Sequence, residues 1–291
     1  MGHEASGIID SIGPAVTRVQ PGDRVAIEPG FPCRRCKLCK SGRYNLCAKM
    51  VFPAHPPRAP GTLVRLFRIP EDFVHRIPEH VSLEEAVMAE PLSVAVHAIR
   101  LAQLRPGHKV LVQGSGTIGL LVAATAKCFG VNSIVVTDIN PEKPRLAQEL
   151  VGCKTFVPDP ASLPAEVAEE LKTAIGLSEG FDVVFECTGV ESSAQLGLHA
   201  LEAGGQYIQI GMGKPDQKLP LLAMCEKEIV LKTCFRYGAG DYETAVELLC
   251  SGSVAVKSMI SSTVPFERAE EAWEKTRRGE GIKNLIQGVL D

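Results

Sequence analysis

Lys109-Val110-Leu111-Val112-Gln113-Gly114-Ser115-Gly116-Thr117-Ile118-Gly119 decides the fold of this chain. A short aliphatic run leads straight into Gly-x-Gly-x-x-Gly, and an apolar segment of helical length follows. The stretch therefore reads as strand, tight turn and helix start. Gly114 permits the turn, Gly116 lets backbone amides approach a pyrophosphate at the helix N-terminus, and Gly119 lets the helix close on the strand. Thr117 and Ile118 complete the loop. A plain glycine-rich turn is the alternative, and Asp138 weighs against it. This acid ends the next strand-like run, 19 residues after Gly119, where a carboxylate binds a ribose diol and repels a 2′-phosphate. The dinucleotide so read is NAD rather than NADP, with Lys143 and Arg145 just beyond able to soften the choice.

Working outward, short β-branched runs at 109–113, 133–138, 154–157, 181–186 and 206–210 alternate with segments of helical length at 118–129, 142–150, 164–175 and 192–201. That alternation predicts an α/β fold with a doubly wound parallel sheet. Thr188 with Gly189, and Gly211, Met212 and Gly213, end the fourth and fifth strands on the ligand side. Small residues there let backbone approach the nicotinamide half, although ordinary strand-ending turns look similar. A strand at 229–235, helices about 242–249 and 267–277, and a strand about 285–290 complete the chain. Residues 1–92 differ in texture: Pro and Gly split short apolar stretches at 7–12, 24–28 and 73–77, which reads as irregular β structure.

Within that region Cys33, Cys36, Cys39 and Cys47 follow the spacing Cys-x2-Cys-x2-Cys-x7-Cys. Four thiolates so spaced close a cage around one Zn2+ and leave no position for water or substrate, so the site is structural. A disulfide pair is the weaker alternative. The other cysteines are scattered among apolar residues, as reduced thiols in an intracellular protein are. At 291 residues, 45% hydrophobic and 22% charged, the chain is long enough for two cores. A net charge of -3 provides no footprint for nucleic acid or an anionic membrane. No run approaches the ~18 uncharged apolar residues of a membrane span, and residues 1–30 lack the order of a signal peptide. The expected compartment is the cytoplasm.

His3 and Glu4 stand next to each other near the N-terminus. An imidazole and a carboxylate suit a catalytic Zn2+, which takes three protein ligands and keeps a position open. Two adjacent residues are not a site, and a solvated terminal pair is the commoner case.

Taken together, the chain resembles the zinc-containing medium-chain dehydrogenase/reductase superfamily, and within it the polyol dehydrogenases of sorbitol, xylitol or L-arabinitol. The likeness spans nearly all of the chain. It rests on Gly2-His3-Glu4, the four-cysteine lobe, Gly42-Arg43-Tyr44-Asn45-Leu46, Glu90-Pro91-Leu92-Ser93-Val94, the glycine loop, Glu186-Cys187-Thr188-Gly189 and Phe235-Arg236-Tyr237.

The resemblance implies a GroES-like β-rich catalytic domain built from residues 1–92 and 238–291, with the zinc lobe at 33–47. Between them lies an NAD-binding Rossmann domain at 93–237, and the assembly is a homotetramer. It makes His3 and Glu4 ligands of the catalytic zinc and gives Glu90 the water on that zinc. Related alcohol dehydrogenases carry a cysteine ligand at the position of Glu90, so the carboxylate points to polyols. Phe52 lines the substrate pocket, Arg236 and Tyr237 contact the polyol, and Lys143, Phe235 and Arg236 join the cofactor contacts.

Two departures accompany the likeness. In the family, a segment carrying a cysteine zinc ligand and barrel strands precedes Gly-His-Glu, so the resemblance expects an incomplete catalytic domain, a truncated chain and an absent third ligand. The pattern also drifts at 55–60 and 66–68, which bears on substrate preference. The expected activity is NAD-dependent oxidation of a polyol to a ketose by hydride transfer. The alternatives are an impaired fragment that keeps NAD and the structural zinc, or a related alcohol or L-threonine dehydrogenase. A zinc-free quinone reductase is opposed by the cysteine lobe and His3-Glu4.

Overall fold

The computed structural model describes residues 1–289 except 56 and 58. It divides into two compact units, one of residues 1–93 with 236 onward, the other of residues 94–235. In chain order the first unit begins with β1 (Ala5–Ile8), β2 (Arg24–Ile27), α1 (Lys37–Lys40), β3 (Val74–Arg76), α2 (Leu83–Ala86) and α3 (Ala89–Leu101), and the boundary falls within α3. The second unit holds β4 (Lys109–Gln113), α4 (Thr117–Cys128), β5 (Ser133–Thr137), α5 (Pro144–Val151), β6 (Lys154–Phe156), α6 (Pro164–Ile175), β7 (Phe181–Glu186), α7 (Glu191–Ala200), β8 (Leu201–Gln209), α8 (Leu221–Glu226) and β9 (Val230–Thr233). The chain then returns to the first unit with α9 (Asp241–Cys250), β10 (Ile260–Val264), α10 (Ala269–Arg277) and β11 (Lys283–Ile286).

The second unit is a six-stranded parallel sheet in the order β6-β5-β4-β7-β8-β9. Its central strands are apolar on both faces because helices cover both: Leu111, Val135, Phe181, Val184 and Tyr207 share one core with Val167 and Leu171 of α6 and Leu198 of α7. The order reverses at β4, and in such sheets ligands bind outside the carboxyl ends of the strands at that point. The glycine loop follows β4 there, as expected from the sequence.

In the first unit β1, β2 and β3 form an antiparallel sheet, with Ala5 opposite Ile27 and Ala26 opposite His75. Val19, Val25 and Val74 form its apolar centre. Beside them lies a buried carboxylate, Glu28, and a buried charge requires partners. His75 Nε2 stands 2.9 Å from one oxygen, and the Tyr44 hydroxyl donates to the other. The ring of Tyr242 lies 4.7 Å from that of His75, and its hydroxyl donates to the Ile27 carbonyl at 2.7 Å. Residues from the lobe, the sheet and the C-terminal return thus meet at one charge.

Helix α2 occupies sequence expected to be irregular β, and α3 begins in the last four residues of that region. Ser82 caps α2: its hydroxyl accepts from the Glu85 amide at 3.1 Å, while the Glu85 carboxylate accepts from the Ser82 amide at 2.9 Å. Pro91 falls in the first turn of α3, where its missing N–H costs nothing. Two further bounds differ. The return crosses between residues 235 and 236, so Arg236 and Tyr237 belong to the first unit rather than to the end of the dinucleotide-binding domain. The last strand ends at Ile286, and residue 290 of the expected strand lies outside the described residues, as do 56 and 58 of the drifting stretch. Among the described residues no helix is long and apolar enough to cross a membrane.

Candidate functional site

The four lobe sulfurs lie within 4.8 Å of one another. Cys36 precedes α1 and its sulfur accepts from the Cys39 amide at 3.5 Å, while the Cys33 amide points at the Cys47 sulfur at 3.5 Å. Amides of Arg35 and Cys36 lower the Cys33 thiol to about 6, whereas burial and neighbouring sulfurs push Cys39 up to about 12. Without a cation the sulfurs compete for one negative charge, and a divalent ion with four thiolates removes that conflict. The donor set fits a closed Zn2+ site. The lobe is tied to the C-terminal return, since the Ala239 amide donates to the Gly42 carbonyl at 2.9 Å and the Tyr44 hydroxyl reaches the Gly238 carbonyl at 3.2 Å.

A second cluster gathers His3, Glu4 and Glu90, whose donor atoms also lie within 4.8 Å of one another. His3 and Glu4 directly precede β1, and Glu90 sits in the first turn of α3. Burial pushes the Glu90 carboxyl up to about 7, opposed by a hydrogen bond with Tyr237 and by the charge of Arg236. Burial and the positive charges of Lys283 and Arg236 lower His3, so its imidazole is neutral and able to ligate. An imidazole and two carboxylates fit a divalent zinc ion with a position left open.

Phe52 lies against this cluster, its ring centroid 5.4 Å from that of His3. The guanidinium of Arg236 stacks on the other residue of the pair, 3.6 Å from the Phe52 centroid. Arg236 has φ +55°, a left-handed conformation that costs about 1 kcal/mol or more outside glycine and asparagine. Tyr237 is buried, 2% exposed, with its hydroxyl 3.1 Å from the Pro29 carbonyl. It stands as a support for Glu90, away from solvent.

Lys283, in β11, pairs with the Glu4 carboxylate. Burial lowers its ammonium to about 8. Sequence reasoning missed this lysine, which carries no local signal: it lies in a short strand 279 residues from its partner.

The dinucleotide candidates sit in the second unit at the carboxyl ends of strands. Gly114 has φ +91°, and a Cβ on Gly119 would overlap the Gly114 carbonyl, so the turn and the close approach both demand glycine. A Cβ at Gly116 would meet nothing within 4 Å, leaving open space at the mouth of α4. Asp138 holds this loop, accepting from the Ser115 amide at 2.9 Å and the Ser115 hydroxyl at 2.8 Å. Such an amide-lined, acid-bordered cradle fits NAD. Thr117 and Ile118 open α4, Lys143 directly precedes α5, and Arg145 is paired with Glu142 at 2.6 Å. Thr188 follows β7, Gly211 and the exposed Met212 follow β8, and Phe235 follows β9.

Comparison with known proteins agrees with this geometry. The zinc-binding dehydrogenase family matches residues 117–251, and the alcohol dehydrogenase GroES-like domain matches residues 1–79. A probable D-xylulose reductase A of Aspergillus clavatus is 45% identical over 291 residues, covering 100% of this chain and 81% of the relative. The D-xylulose reductase A of Aspergillus niger is 46% identical, covering 99% and 80%. Among solved structures, the L-idonate 5-dehydrogenase of Escherichia coli superimposes with a TM-score of 0.88 at 29% identity, covering 98% of this chain and 81% of that one.

Proposed function

The chain belongs to the zinc-containing medium-chain dehydrogenases of polyols, and on that premise we propose that it oxidises a polyol hydroxyl to the ketone of a ketose with NAD. The observation that carries the reading is the meeting of His3, Glu4 and Glu90 at one point. Bound there, zinc would supply a Lewis acid for the reacting hydroxyl, and NAD would supply the acceptor for the hydride leaving the carbon that bears it. His3 and Glu4 hold the metal from the strand side. Glu90 is the third donor of the cluster, and its buried carboxylate would take up the hydroxyl proton during oxidation and give one back to the oxygen in the reverse reduction. Arg236 and Phe52 offer a guanidinium and a ring to a substrate bearing several hydroxyls. The relatives named D-xylulose reductase suggest a five-carbon ketose and its polyol as the pair interconverted.

Asp138 favours NAD over NADP, because its charge repels a 2′-phosphate. The cysteine lobe holds the structural zinc. A homotetramer in the cytoplasm completes the reading. The strand β9 supports association, as an edge of the sheet with Val230 and Leu231 exposed.

The test is zinc content per chain together with NAD reduction on sorbitol, xylitol, L-arabinitol, ethanol and threonine. Two zinc ions and turnover confined to polyols are expected, and sedimentation velocity reads the tetramer. A second reading, a chain that binds NAD and one zinc without turnover, is favoured by one observation: the Glu4 carboxylate is already engaged by Lys283. One zinc and no turnover on any substrate would decide for it.

A further inference from the structure

The motif Glu186-Cys187-Thr188-Gly189 contains a charged residue that the proposed reaction does not use. Glu186 ends β7 in the interior of the sheet, between β4 and β8, and is 0% exposed. A carboxylate there requires hydrogen bonds on both oxygens. One oxygen accepts from the Thr188 amide at 2.8 Å and from the Thr188 hydroxyl. The other accepts from the Gly189 amide at 2.8 Å and from Gln209 Nε2 at 2.8 Å. Gln209 Nε2 in turn donates to the Gly211 carbonyl at 2.7 Å. The Glu186 carbonyl accepts from the amides of Ile210 and Gly211, at 2.9 and 2.8 Å.

One residue thus binds the turn after β7 to the turn after β8 through both its side chain and its main chain. The two turns are packed without slack. A Cβ on Gly211 would come within 2.7 Å of the Glu186 carboxylate, and one on Gly189 within 2.7 Å of the Gly213 amide. Both turns lie at carboxyl ends of parallel strands, the ligand side of such a sheet.

We infer that Glu186 is a positioning residue for the nicotinamide half of the dinucleotide. It does not touch the ligand. By clamping Thr188 and Gly189 to residues 211–213 it sets where the backbone groups of the second turn stand. This rests on the dinucleotide reading of the unit, in which the adenosine and pyrophosphate are held separately by the Gly114–Gly119 loop and Asp138. The two halves can therefore be probed apart, since ADP-ribose lacks only the nicotinamide.

The experiment is calorimetric titration of the full chain and of Glu186→Gln with NAD and with ADP-ribose. A carboxamide offers a single acceptor oxygen and turns an NH2 group towards converging donors, so the clamp opens. NAD affinity is expected to fall by about tenfold or more, the scale of a lost charged hydrogen bond, while ADP-ribose affinity stays within about twofold. Gln209→Met, which removes one donor and leaves the carboxylate, should weaken NAD in the same direction by less, and it decides the matter if Glu186→Gln does not fold. Equal loss for both ligands, or unchanged NAD affinity, overturns the positioning role. A wild-type chain that binds neither ligand overturns the dinucleotide reading itself.

Discussion

The cysteine lobe and the cluster of His3, Glu4 and Glu90 are both donor sets drawn within 4.8 Å, yet they are built in opposite ways. The lobe takes its four donors from fifteen consecutive residues, and its backbone amides already point at the sulfurs. The cluster takes three donors from residues 3 to 90 and is flanked by Arg236, Tyr237 and Lys283 from the far end of the chain. A local set saturates its metal and stabilises the fold. A set assembled over long range keeps an open position and a tunable surround, and depends on everything that brings it together.

The largest effect should come from breaking the lobe. Cys47→Ser is expected to remove one zinc per chain and to cost on the order of 5 kcal/mol, part of what such cages contribute to small domains. The buried Glu28 contacts and the 238–239 contacts hang on the same segment. Metal analysis and thermal unfolding check this, and an unchanged melting temperature would erase the contrast between the regions.

His3→Ala should do the reverse. It removes the other zinc and lowers turnover by about 10³-fold, the weight of several kcal/mol of Lewis-acid stabilisation. Stability compared between metal-free forms should move by less than about 1 kcal/mol, since His3 is only half-buried. Steady-state kinetics and denaturant unfolding on one preparation separate the two quantities.

A third prediction concerns metal-stripped protein. The folded Glu90 carboxyl binds a proton up to pH about 7, whereas the unfolded one releases it near 4.5. The native state holds more protons at this group in that window, so the contribution of Glu90 to stability is greatest below pH ~4.5 and declines as pH rises to about 7. The loss is about 3 kcal/mol, at about 1.4 kcal/mol per pH unit. Unfolding of Glu90→Gln across the same range should lack this slope, whereas the lobe contributes the opposite sign, its Cys33 thiol ionising from about pH 6 in the folded chain and later in the unfolded one.

The smallest effect sharpens the comparison most. Lys283→Met frees the Glu4 carboxylate and removes a positive charge, so zinc affinity of the cluster should rise about fivefold, as a partly buried ion pair is worth roughly 1 kcal/mol. Chelator competition should find the lobe's affinity unchanged.

Much of this is legible in the sequence. The lobe and the glycine loop declare themselves because their partners are near in sequence, and the β-branched runs identify a sheet buried on both faces. Helix α2 is hidden by the Pro and Gly texture of residues 1–92, although Ser82 and Glu85 have capping-box spacing. His3 and Glu4 alone read as a solvated pair, and only the resemblance gave them a metal. Lys283 had no signal at all. Glu186 had a faint one, a charge ending an apolar strand.

By itself the sequence determined the strand-turn-helix for a dinucleotide, the four-thiolate cage and the alternation that builds a parallel sheet, because each depends on spacing along a few turns of chain. Only the tertiary structure decided that Lys283 holds Glu4, that Tyr237 supports Glu90 from within the core, and that Glu186 locks two turns. Those relations depend on burial and on charges meeting across up to 279 residues, and desolvation acts only once the chain has closed around them.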